Sequence, residues 1–230
     1  MTKNEVLQLL EDNKNQRGID NWTKIHTSQM SSYGIGLTVL RKLAKKIGRD
    51  HELAMELWNS NNYDAKIISL LIDEPKALTR EQAETQVDEI EGGHLAHVFS
   101  SCDATLGKTP FVKELAEEWI RSSDSKRRRC GYGLLYELSK SKKKDAFTDE
   151  YFIEHLKYIE STYANEDIPT LMAMATAVLG IGKRNTTLHS EALKLAKQIG
   201  PINFNEYEGQ KCEPMNIEKN LNSDSVQHMK

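Results

Sequence analysis

The stretch TLMAMATAVLGIGKRN, residues 170–185, decides the fold class of this chain. Its apolar side chains recur at i, i+3, i+4, i+7 and i+8, which is the period of one α-helix face. These side chains belong to Leu171, Met174, Ala175, Val178 and Leu179. The stretch therefore predicts a helix with one buried face, ending close to Lys183 and Arg184.

Four further segments, residues 40–47, 112–119, 152–163 and 188–199, carry apolar stripes of the same period. No stretch alternates apolar and polar residues for long enough to predict a strand. The pattern predicts an all-α fold of about ten helices, each of roughly 10–18 residues, joined by short loops. Helices of this length pack as antiparallel pairs, and a run of pairs builds a curved solenoid.

Helix boundaries are marked by residues that satisfy unpaired backbone groups. The predicted starts are Asp50, Thr79 with Gln82 as a capping box, and Thr109 before Pro110. The predicted ends are Gly48, Gly92–Gly93 and Gly200. We expect one domain over residues 1–200. Periodicity is lost in the extension 201–230, which we expect to be partly disordered apart from a short helix near residues 216–221.

Composition excludes several classes of protein. The chain has 230 residues, of which 38% are hydrophobic and 28% are charged, which is typical of a globular domain. No apolar run approaches the roughly 20 residues that a membrane helix needs, and the N-terminus lacks the apolar core of a signal peptide. We therefore expect a cytoplasmic location. The distant cysteines Cys102, Cys130 and Cys212 predict reduced thiols and no structural zinc site.

Charge is unevenly distributed although the net charge is only −3. Eight Lys or Arg residues and one acid lie between Lys126 and Lys144, whereas seven acids and two bases lie between Asp73 and Glu91. A chain polarised in this way can present a basic surface despite its overall sign. This charge distribution is therefore compatible with the binding of an anionic partner.

Two basic clusters are candidates for anion binding. Lys126, Arg127, Arg128 and Arg129 fall at a predicted helix N-terminus, where the helix dipole disfavours positive charge. The alternative is a solvated face paired with acids of a neighbouring helix. The second cluster is Lys183 with Arg184, at a helix C-terminus that favours cations in any case.

The polar segment GGHLAHVFSSCDATLGKTP, residues 92–110, is open to several interpretations. His94 and His97 lie three residues apart and could ligate a metal together with Cys102 or Asp103. No second pair of ligands lies at metal spacing elsewhere, which favours local hydrogen bonding by both histidines. A nucleophilic Cys102 activated by histidine is a further, weaker alternative.

The chain also resembles the DNA alkylation repair proteins, which are built of HEAT-like helical repeats. The resemblance rests on residues 33–75, on KTPF at 108–111, on RRRCGYGLLYEL from Arg127 and on GIGKRN at 180–185. It implies a solenoid whose basic concave face holds duplex DNA. Active members of the family release purines alkylated at N3 or N7. A Trp and an Asp of an S-W-D-x-x-D motif lie against the damaged nucleotide, and the carboxylate stabilises the developing sugar cation.

The resemblance gives two alignments of that motif. In the register that continues from Val87, Gly93 takes the place of the tryptophan and His97 that of the aspartate, so both catalytic side chains are missing. In the other register, Phe99 and Asp103 keep an aromatic ring and a carboxylate one helical turn apart. Any base excision would then depend on Asp103 and Phe99.

We accordingly expect a monomeric DNA-binding protein of this family, with no cofactor, no metal and no contact with a membrane. Phosphate contacts are assigned to Lys126 through Arg129, to Lys183 and to Arg184. Glycosylase activity is the further expectation of the resemblance. The alternatives are a non-catalytic binder of branched or damaged DNA and a helical-repeat scaffold for protein interactions.

Overall fold

A computed structural model describes residues 1–25, 29–101, 104–141, 147–203 and 213–223. All regular structure in these ranges is helical, apart from two isolated bridges, Ser31 with Asn62 and Ile202 with Met215. The prediction of an all-α fold is confirmed. Within the same ranges, no helix combines the length and the apolar character needed to cross a membrane.

The contacts divide the chain into two compact units, Met1–Phe111 and Val112–Lys230. The first contains α1 (Lys3–Asp12), α2 (Gln16–Ile25), α3 (Leu37–Ile47), α4 (His51–Trp58), α5 (Tyr63–Ile72), α6 (Arg80–Asp88), α7 (Leu95–Ser100) and the 3-10 turn Leu106–Lys108. The second contains α8 (Val112–Ile120), α9 (Ser125–Ser139), α10 (Asp149–Thr162), the 3-10 turn Tyr163–Asn165, α11 (Ile168–Gly182), α12 (Thr186–Ile199) and α13 (Ile217–Leu221). Several of these helices are shorter than predicted, because caps end them after two or three turns.

The extent of a single domain over residues 1–200 stays a prediction. The short helix near residue 216 is confirmed as α13, which begins after the cap Asn216 and packs on α11 and α12 through the buried Ile217 and Leu221. This part of the extension therefore belongs to the core of the second unit. Residues 204–212 and 224–230, where disorder was expected, lie outside the described residues.

Helix boundaries follow the caps with three corrections. The end predicted at Gly92–Gly93 is wrong, because α6 already ends at Asp88 with Glu89 as its C-cap. Asp50 caps α4, and Gly48 and Gly200 end α3 and α12 as predicted. The capping box is incomplete: Thr79 accepts from the backbone N–H of Gln82, but the Gln82 side chain donates to Asp73 instead. The start predicted at Thr109 is wrong, because its hydroxyl donates to the Leu106 carbonyl and α8 begins only at Val112.

In the first unit, α3 runs parallel to α5 and is attached to it at both ends. The buried carboxylate of Asp64, near the start of α5, accepts hydrogen bonds from the Ser32 hydroxyl and from the backbone N–H groups of Tyr33 and Ile35, just before α3. Beyond the end of α3, the Arg49 guanidinium donates to the carbonyl oxygen of Asp73, just after α5. These contacts fix the position of α3 within its unit.

The second unit repeats the arrangement with α9 and α11. The Thr170 hydroxyl, in the first turn of α11, donates to the carbonyl oxygen of Ser125, where α9 begins (3.3 Å). At the other end, Arg184 follows α11 and donates to the carbonyl oxygens of Ser139 and Ser141, where α9 ends. The two helices are therefore parallel neighbours, as successive helix pairs of a repeat require.

A buried histidine of α10, His155, lies close enough to Lys113 of α8 and to Arg121, just after α8, for their charges to act on it. Its ring packs edge-on against Tyr151, with centroids 4.6 Å apart. Burial lowers the pKa of His155 to about 4, and the positive charges of Arg121 and Lys113 act in the same direction. The imidazole is therefore neutral in the folded state at any pH above that value.

We expect this histidine to make the protein sensitive to acid. The unfolded chain binds a proton at the ordinary pKa of 6.5, whereas the folded chain binds it only near pH 4. Stability should therefore fall by up to about 3 kcal/mol as the pH drops through this window. Urea unfolding of the wild type and of H155Q between pH 7 and pH 4 measures the effect. Equal pH dependence of the two proteins would contradict the assignment.

Candidate nucleic-acid interface

The first basic cluster lies in the first turn of α9, as predicted. The carboxylate of Asp124 caps the helix by accepting from the backbone N–H of Arg127 (3.0 Å). The Lys126 side chain is exposed, and those of Arg127 and Arg129 are half-buried. The Arg127 guanidinium lies over the ring of Trp119, 6.0 Å from its centroid. Such a contact fixes the direction of an arginine side chain.

Arg128, in the same cluster, is engaged inside the protein. Its guanidinium forms a bidentate ion pair with the carboxylate of Glu166 (2.8 Å) and donates to the carbonyl oxygens of Ser122 and Ser123. The hydrogen bond to Glu166 raises the pKa of Arg128 above its usual value. These contacts join the turn before α9 to the segment before α11. Arg128 therefore has a structural role whether or not it also meets DNA.

A second acid moderates the charge at this end of the helix pair. Asp167 caps α11 by accepting from the Thr170 backbone N–H (2.8 Å). Burial acts to raise its pKa, but hydrogen bonds from Thr170 and Ser125 and the charge of Arg128 outweigh burial and lower it. Asp167 therefore remains ionised. The basic cluster is exposed to solvent through Lys126 and, in part, through Arg127 and Arg129. The acids Glu166 and Asp167 lie beside it and offset part of its positive charge.

Gly131 explains how α9 can lie so close to α8. A Cβ atom at this position would lie 2.6 Å from the backbone nitrogen of Ile120. The glycine therefore permits close approach of a neighbouring helix. Contact between Gly131 and a phosphate backbone is not needed to account for it.

The second basic cluster lies at the opposite end of the same helix pair. Lys183 caps α11, and Arg184 packs on the ring of Phe152 (4.4 Å to the centroid) while it binds the carbonyl groups that end α9. Burial lowers the pKa of Arg184. Because α9 has 15 residues, the two clusters are about 20 Å apart along its axis. They form two separate positive regions. Among the described residues, the Lys183 side chain makes no ion pair or hydrogen bond, whereas Arg184 is engaged by the protein.

The segment beginning at Gly92 is shaped by Tyr63. Gly92 and Gly93 both have positive φ, and the His94 backbone N–H donates to the Tyr63 hydroxyl (2.9 Å). A Cβ atom at Gly93 would lie 2.7 Å from the Tyr63 ring. Burial raises the pKa of Tyr63 to about 12, so the hydroxyl stays neutral. The space where a tryptophan of the family motif would begin is therefore filled by a buried tyrosine of α5.

The structure does not bring the other candidate residues of this segment together in one site. His97 is exposed on α7, with its Nδ1 2.8 Å from the Ser101 hydroxyl. Phe99 is buried, with 2% of its surface exposed, so its ring has no open face for a nucleotide. Asp103 and Cys102 lie outside the described residues. The pairing of Phe99 with Asp103 as a catalytic unit stays a prediction, and the burial of Phe99 does not support it.

Among the described residues, no group of three or more His, Cys, Asp or Glu side chains could hold a metal ion. The metal alternative for His94 and His97 required Cys102 or Asp103, which are not among those residues. Cys130 is buried in α9 and its thiol is reduced.

Sequence comparison places the protein within a class that fits this fold. The family model described as DNA alkylation repair enzyme matches residues 6–204. The chain therefore belongs to this family, as the resemblance had indicated.

Individual relatives agree with the assignment. Uncharacterized proteins of Listeria innocua and Listeria monocytogenes are 26% and 25% identical, each over 75% of this chain and 75% of their own length. A solved structure is described as belonging to a new family of proteins related to the HEAT-like repeat DNA glycosylases with affinity for branched DNA structures. It superposes with a TM-score of 0.79 at 23% identity and covers 99% of this chain and 93% of that one. The fold is therefore that of a HEAT-like repeat protein.

The contacts of two residues in this region were not predicted from the sequence. Glu166 was not recognised as the partner of Arg128, although it precedes the cap Asp167 and a proline, a sequence typical of a helix start. Tyr63 was not connected to Gly93, because 30 residues separate them and no local signal joins them. Only a prediction of which helices are neighbours would have found either contact.

We expect the Arg128–Glu166 pair to contribute to stability. R128Q and E166Q each leave a mostly buried partner without its counter-charge, which should cost about 1–3 kcal/mol. The double variant should lose less than the sum of the single losses, by about 1 kcal/mol or more. Urea unfolding measures all three free energies. R129Q, in the same turn, is the control and should lose less; strict additivity of R128Q and E166Q would contradict the coupling.

Proposed function

We propose that this member of the DNA alkylation repair family binds DNA through its phosphate backbone, with little dependence on base sequence. The proposal rests on Lys126, Arg127 and Arg129, which crowd into the first turn of α9, where the helix dipole disfavours cations. Stability does not account for this placement. Phosphates are the ligands that such a cluster fits, and they carry no base identity.

The comparisons support branched DNA as a substrate class. The solved relative has affinity for branched DNA structures by its own description, and the fold extends over almost all of both chains. Because the two positive regions on α9 and α11 are separate, an extended polyanion fits them better as a ligand than a compact anion does. A basic concave face, as implied by the resemblance, is part of this proposal.

DNA binding is expected to depend on both salt and this cluster. The logarithm of the association constant should fall linearly with the logarithm of salt concentration, by about 0.9 for each phosphate neutralised. The variant K126E/R127E/R129E should bind at least about tenfold more weakly and with a shallower slope. Fluorescence anisotropy with a labelled four-way DNA junction measures both quantities.

The control reverses three exposed lysines elsewhere, K157E/K194E/K197E, and so changes net charge by the same amount. It should lose much less affinity than the α9 variant. A flat salt response, or equal losses in the two variants, would overturn the proposal and favour a protein-interaction scaffold.

Base excision is the second candidate function, and family membership favours it. The geometry of the segment counts against it, because Tyr63 fills the space beside Gly93 and Phe99 is buried. An exposed imidazole at His97 cannot supply the negative charge that stabilises a sugar cation. We therefore propose binding without excision.

Duplex DNA containing 7-methylguanine tests this point. We expect no base release above the spontaneous rate, measured by chromatography of the free base with the protein in excess over DNA. Release by the wild type would overturn the proposal. In that case, D103N and H97A would identify the side chain responsible, because only the Asp103 alignment keeps a carboxylate.

A further inference from the structure

Hydrogen-bond donors without acceptors lie together between α8 and α10, in the second unit. Two cation–π contacts bridge these helices. The Lys113 ammonium lies over the ring of Tyr151, 5.1 Å from its centroid. The guanidinium of Arg121, just after α8, lies over the ring of Tyr158 at 5.3 Å. His155 lies between these two contacts along α10. The function proposed above uses none of these residues.

Two polar groups in this region lack a hydrogen-bond partner in the part of the chain that the structure describes. His155 has 5% of its surface exposed, and neither nitrogen of its ring forms a hydrogen bond there. The hydroxyl of Tyr151 is buried and also lacks a partner. The two rings are in edge-to-face contact, with centroids 4.6 Å apart. Because about nine in ten buried polar groups are hydrogen-bonded, two unpartnered neighbours indicate a partner that is not part of the protein.

The two cations add further donors to the same region. Among the described residues, the Lys113 ammonium forms neither an ion pair nor a hydrogen bond. The Arg121 guanidinium donates to the carbonyl oxygen of Glu117 (3.0 Å), and most of its N–H groups are not used by these residues. Lys113 is half-buried and Arg121 is exposed, so the region is open to solvent at Arg121.

The acids of α8 keep the tyrosine in its donor form. Burial raises the pKa of Tyr151, and the negative charges of Glu117 and Glu114 act in the same direction, against that of Arg121. The phenol therefore stays neutral and keeps its proton. Burial also lowers the pKa of His155, and the positive charges of both cations act in the same direction. The electrostatic potential that these cations produce at the imidazole is therefore positive.

Donors without acceptors fit an anion better than they fit water. A water molecule accepts hydrogen bonds but also donates its own O–H groups, which would need acceptors in the same place. An oxyanion brings only acceptors, and hydrogen bonds to a charged oxygen are about twice as strong as those between neutral groups. The positive potential at His155 favours the same choice.

We propose that the second unit binds a small oxyanion of the phosphate type between α8 and α10. The Tyr151 hydroxyl and the ring N–H of His155 donate to its oxygens, and Lys113 and Arg121 balance its charge. The site is separate from the basic clusters at the two ends of α9, and the inference does not depend on DNA binding. The bound anion joins α8 to α10, so it stabilises the folded second unit.

Inorganic phosphate is the probe that tests this site. NMR of the His155 imidazole reports binding at the site itself, and thermal unfolding reports the stabilisation that binding produces. Both are recorded at increasing phosphate and constant ionic strength, with chloride as the reference anion. We expect the His155 resonances to shift in a saturable manner. Tm should rise by at least about 2 °C at about a twentyfold excess of phosphate over its dissociation constant.

Two variants remove the proposed contacts. Y151F lacks the hydroxyl and should bind phosphate about tenfold more weakly, as expected for loss of one hydrogen bond to a charged group. K113Q/R121Q lacks both cations and should lose at least about tenfold. The charge-matched control K157Q/K197Q, which changes exposed lysines of α10 and α12, should bind as the wild type does. Unfolding in chloride shows whether each variant is folded.

Other results would overturn the inference. If phosphate caused no shift at His155, water alone would satisfy these donors. A rise in Tm of equal size in the wild type and in the double variant would mean that phosphate binds elsewhere on the protein. The variant K126E/R127E/R129E separates this site from the proposed DNA interface. It should lose DNA affinity and keep the response of His155 to phosphate, and loss of both would also contradict a separate anion site.

Discussion

The structure depends on parallel helices that are joined to each other at both ends by charged side chains bound to backbone groups. In the first unit, Asp64 and Arg49 hold α3 against α5. In the second unit, Arg128 and Arg184 hold α9 against α11. Backbone groups at helix ends need partners, and a guanidinium that donates to several carbonyl groups satisfies more than one of them. Lysine could not replace arginine here without loss of this geometry.

This constraint changes what the basic residues can do. Of the six cations that the sequence assigned to DNA, Arg128 and Arg184 are held by protein groups. Their charge still contributes to the local potential, but their donors are engaged. In the proposed complex with DNA, the other basic side chains of these clusters are positioned by the two arginines, because Arg128 and Arg184 fix both ends of α9. An interface positioned in this way loses little conformational entropy on binding.

The sequence predicted the all-α class, the apolar stripes and most helix boundaries, because these depend on period and on caps within a few residues. The start predicted at Thr109 failed, since its hydroxyl completes the 3-10 turn before it instead of opening α8. The contacts of Arg128 with Glu166 and of Gly93 with Tyr63 could not be predicted, because they join residues 30 or more positions apart.

The same physical argument supports the proposal that this member of a repair family binds DNA without excising bases. Excision needs an aromatic ring and a carboxylate held within a fraction of an ångström of a nucleotide, and a tyrosine behind Gly93 removes the space for the first. Phosphate binding tolerates such changes, because each cation acts nearly independently and at longer range. A helical-repeat scaffold can therefore lose its reaction centre while keeping its affinity.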